Sequence, residues 1–133
     1  MLVVDSSAVL EALAARDPAP ELVERLAGDS DLHAPHLIDT EVLHALRRLL
    51  RRGQISAERS HDALTDFAEL TLVRYPHEPL NERVWDLREN LTAYDATFVA
   101  LAEALGVPLI TCDARLAAAP GSRARIEVYD SRT

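Results

Sequence analysis

Two short runs, Leu2-Val3-Val4 and Pro108-Leu109-Ile110-Thr111, lie at opposite ends of this chain, and an acidic residue follows each of them, Asp5 and Asp113. A continuous apolar run of this length reads as a strand buried on both faces, the pattern of a parallel sheet covered by helices. In an open α/β sheet the ends of such strands gather at one edge, so residues remote in sequence can share a crevice there. Glu41 and Asp95 also stand where a loop hands over to a helix. Four carboxylates in one crevice need cations, because two unit charges about 4 Å apart repel by roughly 4 kcal/mol at an effective dielectric of 20. A divalent metal ion is the simplest remedy.

Between the two runs the pattern is mostly helical. Ser6 or Ser7 is a good N-cap for a helix over 8–15, and Pro18 and Pro20 separate it from a second helix over 21–27 that Gly28 ends. Leu32-His33-Ala34 reads as a short strand, and 35–39 as a loop into a helix over 40–52, with Gly53 at its C′ position. On that helix Val42, Leu43, Leu46, Leu49 and Leu50 form an apolar stripe; Arg47, Arg48, Arg51, Arg52 and Glu41 lie outside it. A helix over 56–70 leads to a strand over 71–75, and helices follow over 80–89 and from Tyr94 to a stop at Gly106. A strand over 107–111, a helical turn over 113–118 and a last strand over 126–129 complete the pass. The expected architecture is α/β, three layers with a central, mostly parallel sheet of four to five strands, in a single domain spanning 1–133.

Charge narrows the function. The formal net charge is −8, so bulk electrostatics would repel a polyanion, and any nucleic acid must be held locally. Every basic residue apart from histidine is Arg. Without a Lys, a P-loop nucleotide binder is excluded and a receiver domain lacks the partner expected for its phosphate; Ser7 breaks the Asp-x-Asp opening of a haloacid dehalogenase-type phosphatase. The single Cys112 cannot form an intramolecular disulfide. Met1 runs straight into the first strand and no stretch is apolar enough to span a bilayer, so cytoplasmic residence is the expectation.

Each acid alone has an ordinary explanation as a helix cap or macrodipole partner, and Thr92-Ala93-Tyr94-Asp95 fits the capping-box pattern. Taken together, they suit metal-assisted phosphodiester hydrolysis, in which hard oxygen ligands hold Mg²⁺ or Mn²⁺ and the metal activates water. His33 and His36 lack a third ligand. His44 stands one turn beyond Glu41, Cys112 reads as a small strand residue, and Tyr94, Phe98 and Trp85 read as core or interface in a chain that is 5% aromatic.

The opening Val3-Val4-Asp5-Ser6-Ser7-Ala8, Glu41 on its helix, Tyr94-Asp95-Ala96, and Leu109-Ile110-Thr111-Cys112-Asp113 together resemble a PIN domain, most of all a VapC-type ribonuclease toxin of a type II toxin–antitoxin system. The resemblance implies a Mg²⁺- or Mn²⁺-dependent endoribonuclease that leaves 5′-phosphate and 3′-hydroxyl ends. It implies Asp5 and Asp95 as principal metal ligands, Glu41 and Asp113 completing a catalytic acidic quartet, and Thr111, with Ser7, orienting the pocket. It also implies an RNA substrate, a homodimer, and a small cognate antitoxin lying in a groove, for which Leu10, Leu13, Val23 and Leu26 are available. The competing expectation is a PIN-like module that binds a partner protein and cuts nothing.

Overall fold

In the computed structural model, which describes residues 1–28 and 31–132, the two runs pair directly at the middle of a five-stranded parallel sheet. Its strands are β1 (Leu2–Val4), β2 (Leu32–Pro35), β3 (Leu72–Tyr75), β4 (Leu109–Thr111) and β5 (Ile126–Val128), in the order β3-β2-β1-β4-β5. Val3 and Val4 are in register with Leu109 and Ile110, and all four are fully buried. The chain lays β2 and β3 on one side of β1, and β4 and β5 on the other. The strand order therefore reverses between β1 and β4, the position where open α/β sheets leave a crevice.

Helices supply the crossovers: α1 (Ser6–Ala14), α2 (Pro20–Ala27), α3 (Leu37–Arg51), α4 (Ala57–Glu69), α5 (Asn81–Asp86), α6 (Ala93–Leu105) and α7 (Ala114–Ala118), with a 3-10 turn at Glu78–Leu80 before α5. α1 packs on α3 and α4, whereas α6 packs on β1, β2, β4 and α5, giving the three-layer α/β/α arrangement. Residues 96–102 of α6 are buried without a break. A helix apolar all round is a buried helix, and the alanines of α6 let it sit close to the strands.

Several local expectations are corrected. Asp5, not Ser6 or Ser7, caps α1: its backbone is extended and its carboxylate accepts the Ala8 N–H, so the helix begins one residue after the strand. α3 starts at Leu37, inside the stretch read as a loop, so Glu41 lies in its second turn. The buried stripe of α3 is Ile38, Val42 and Leu46, while Leu43 and Leu50 are exposed, because the helix meets the body along a narrower seam than the apolar pattern implies. Of the three aromatics read as core or interface, Phe98 is buried in the core, whereas Trp85 and Tyr94 are exposed. A feature the sequence did not announce is Glu11 of α1, 1% exposed, which accepts hydrogen bonds from the Arg132 backbone (2.7 Å) and the Ser131 hydroxyl (3.2 Å) and so straps the C-terminal segment across α1. Among the described residues no helix is long and apolar enough to cross a membrane.

Candidate active site

Because Asp5 directly follows β1 and Thr111 ends β4, the pairing of those strands brings them into contact. The Thr111 hydroxyl donates to Asp5 Oδ2 (2.5 Å), and Ser7 Oγ and the Ala8 N–H donate to Asp5 Oδ1 (2.7 and 3.0 Å). Thr111 Oγ1 also accepts the Asp113 N–H (2.9 Å), and Ser7 Oγ accepts the Cys112 N–H (2.9 Å), tying the loops after β1 and β4 together. Asp5 is 7% exposed. Burial pushes its carboxyl above the ordinary range, the three hydrogen bonds oppose that shift, and the charge of Asp95 adds to it.

Glu41 and Asp95 come from helices on opposite sides of this junction. Ser6 Oγ donates to Glu41 Oε1 (2.9 Å), so the residue beside Asp5 fixes the next carboxylate. Glu41 is raised by its half-burial, against the Ser6 hydrogen bond, with Asp95 and Asp5 contributing repulsion. Asp95 sits in the first turn of α6, its N–H held by Thr92 Oγ1 (3.2 Å), as the capping-box pattern requires. Burial, then the charge of Asp113, lifts Asp95 too, with Arg115 and Thr92 acting against them.

Asp113 behaves differently. It caps α7 and forms a two-pronged pair with Arg115 at 2.7 and 3.0 Å, which holds its carboxyl below the ordinary range despite some burial. All four acids are thus electrostatically linked, but one is neutralised by an arginine two residues on. Among the described residues, no three carboxylate, imidazole or thiol side chains close on a single point as they would around a bound ion. The donor set is nonetheless hard oxygen throughout, the chemistry Mg²⁺ and Mn²⁺ select, and a divalent charge would offset the burial and repulsion that raise Asp5, Glu41 and Asp95.

Glu41 opens onto a cavity of about 470 Å³, shared with Ser6, His44, Arg48 and Tyr94. His44 therefore reaches the cleft. His33 does not: it is buried and its Nδ1 meets the Tyr75 hydroxyl at 2.7 Å. The Cys112 thiol is pushed up to about 12, mainly by burial and then by the nearby carboxylates, so it is no nucleophile. Ser6, read from the sequence as a helix cap, and Arg115 were not singled out as site residues. Both lie within two residues of an acid that was, and that proximity was the available signal.

Comparison with known proteins agrees with this fold. Residues 2–122 match the family model described as PIN domain. "Ribonuclease VapC1" of Mycobacterium tuberculosis is 49% identical over 127 residues, covering 95% of this chain and 96% of the relative. "Ribonuclease VapC9" of the same organism is 46% identical, covering 87% and 88%. Among solved structures, VapBC2 from Rickettsia felis bound to a promoter DNA fragment superposes with a TM-score of 0.71 at 12% identity, covering 97% of this chain and 98% of that one; at that identity the likeness speaks for the fold alone.

Proposed function

The chain belongs to the PIN domain family, alongside its VapC ribonucleases, and on that premise we propose that it is a Mg²⁺- or Mn²⁺-dependent endoribonuclease, the toxin of a toxin–antitoxin pair. The observation that carries the reading is the cluster of Asp5, Glu41 and Asp95 at the strand-order reversal, each raised by burial and by another acid. Structural carboxylates are usually lowered by a cationic partner, as Glu103 and Glu127 are here. Acids kept buried and mutually repelling at a crevice are the expected signature of a cation site.

Asp5, Glu41 and Asp95 would hold the metal, with Asp113 joining once released from Arg115. A divalent ion bound there supplies a water of lowered pKa and a counter-charge for the phosphate. The chain's own residues do the rest. Thr111 and Ser7 keep both oxygens of Asp5 in place, and Ser6 keeps Glu41 turned into the cleft. An antitoxin partner belongs to the same reading, supported by the kinship with the VapC ribonucleases. Its apolar segment has a suitable seat in the cleft of about 200 Å³ between α1 and α2, lined by Leu13, Val23 and Leu26. Leu10 lies elsewhere, in the wall of a different cavity. Homodimerisation belongs to the same proposal.

The test is cleavage of total cellular RNA by the purified, partner-free chain, with the ends sequenced. With Mg²⁺ or Mn²⁺ it should yield 5′-phosphate and 3′-hydroxyl ends, and chelation should stop it. No cutting under either metal would favour the inactive binding module instead, and equal cutting by Asp5→Asn would place the activity outside this acidic site.

A further inference from the structure

Of the arginines in this chain, many are engaged: Arg25 with Glu127, Arg74 with Asp39, Arg83 with Glu103, Arg115 with Asp113 and Arg132 with Asp17. The four on and just after α3 are different. Arg47, Arg48, Arg51 and Arg52 are exposed, and none of their guanidinium groups makes a hydrogen bond or ion pair among the described residues. Two of them line cavities. Arg48 walls the cavity onto which Glu41 opens, and also a neighbouring one of about 230 Å³ that Arg52 and Ser7 share. His44, Arg48 and Arg52 follow one another at four-residue spacing, so they form one edge of α3 about 12 Å long. In a chain of net charge −8, an unneutralised cationic edge beside an acidic centre calls for an anionic occupant.

The cavity at the acidic end of this edge has an aromatic wall. Tyr94 is 63% exposed although the residues after Asp95 are deeply buried, and it directly precedes Asp95 in α6. Leu37 and Ala45 give the same cavity an apolar lining, and its volume of about 470 Å³ falls in the range of small-ligand sites. An exposed ring, an apolar lining and an arginine are the elements by which proteins stack an unpaired base and hold its phosphate.

Resting on the ribonuclease reading above, we propose that single-stranded RNA lies along α3, with one nucleobase stacked on Tyr94 in the Glu41 cavity and the adjoining backbone held by Arg48 towards Arg52. The base is therefore bound next to the acid that carries the chemistry, and paired RNA, whose bases are stacked inward, cannot present it. Tyr94 and Arg48 are binding residues in this scheme; neither touches the scissile bond.

The experiment takes a short RNA that the wild-type chain cuts and moves a single abasic nucleotide across the cut site. At one position the abasic RNA should raise KM roughly tenfold, the size expected of one lost stacking contact. Tyr94→Ala should raise KM similarly on intact RNA and become indifferent to that abasic position, and Tyr94→Phe should restore the dependence. Arg48→Ala should weaken binding of every RNA and flatten the salt dependence by about one counterion. If Tyr94→Ala, folded by circular dichroism, keeps the abasic dependence or loses kcat equally on all RNAs, the subsite is wrong while the nuclease stands. If the wild type cuts no RNA with either metal, both readings fall.

Discussion

Replacing Thr111 by Val tests how the site keeps a buried charge. The substitution preserves shape and removes one hydroxyl at a fully buried position. Asp5 Oδ2 then loses its Thr111 donor, and the Asp113 N–H loses an acceptor close to solvent. A hydrogen bond to a charged group contributes about 1.5–3 kcal/mol, and a buried acceptor left unmatched costs about 1–3 kcal/mol, so a loss of about 2–3 kcal/mol is expected at neutral pH. With an unfolding entropy of about 2.1 cal/mol/K per residue, the 133 residues give about 0.28 kcal/mol/K and a Tm drop of about 7–11 °C. The pH dependence has a definite sign. Thr111 lowers a carboxyl that burial raises, so its loss raises Asp5 further; the penalty is full where Asp5 is ionised and shrinks as pH falls through its raised folded pKa. Thermal unfolding in chelator at pH 7.5 and pH 5 measures both effects, with Thr111→Ser as the hydroxyl-retaining control. A Tm within about 2 °C of wild type at pH 7.5 would refute the reasoning.

Three further outcomes follow. Asp95→Asn should abolish metal-dependent cleavage yet leave the metal-free protein as stable as wild type or more so, since it relieves repulsion at Asp113, Asp5 and Glu41; a clear fall in Tm would make Asp95 a capping residue only. Arg115→Ala should move the Asp113 carboxyl upward, read by carbon NMR, with Tm unchanged; a static Asp113 resonance would contradict the ion pair as the cause. Arg83→Ala removes two hydrogen bonds to Glu103, at 2.6 and 3.1 Å, and should cost about 1–3 kcal/mol at pH 7 in urea unfolding. Burial works against Glu103, but Arg83 and Arg123 hold it below its ordinary value, so that stability is present above the unfolded pKa and is lost as pH falls through the folded one; an equal cost at pH 3 would count against this.

What could be read from the sequence was whatever local chemistry decides. Leu2-Val3-Val4 is too apolar to lie anywhere but a central strand, and Asp5, Glu41, Asp95 and Asp113, each near the start of a helix, were the candidate site before any geometry was known. Distances set by packing were not legible. The exposure of Leu43 and Leu50 depends on how narrowly α3 meets α1 and α4. The N-cap passed from Ser6 to Asp5 because β1 runs into α1 with no loop, and the carboxylate is the side chain placed to accept the Ala8 N–H. Arg115 escaped notice because a pair two residues apart is made by the bend before α7, which spacing alone does not reveal. Tyr94 read as core or interface because the chain holds so few aromatics; its place in the wall of the Glu41 cavity depends on where the first turn of α6 lies.

The most direct measurement is Mn²⁺ binding followed by electron paramagnetic resonance or calorimetry on wild type and on single Asn or Gln variants of Asp5, Glu41 and Asp95. Wild type should bind Mn²⁺ in competition with Mg²⁺, and each of the three variants should lose roughly tenfold or more in affinity. Mn²⁺ affinity unchanged by all three substitutions would mean that these acids are helix caps, and that the proposed chemistry has no seat in this crevice.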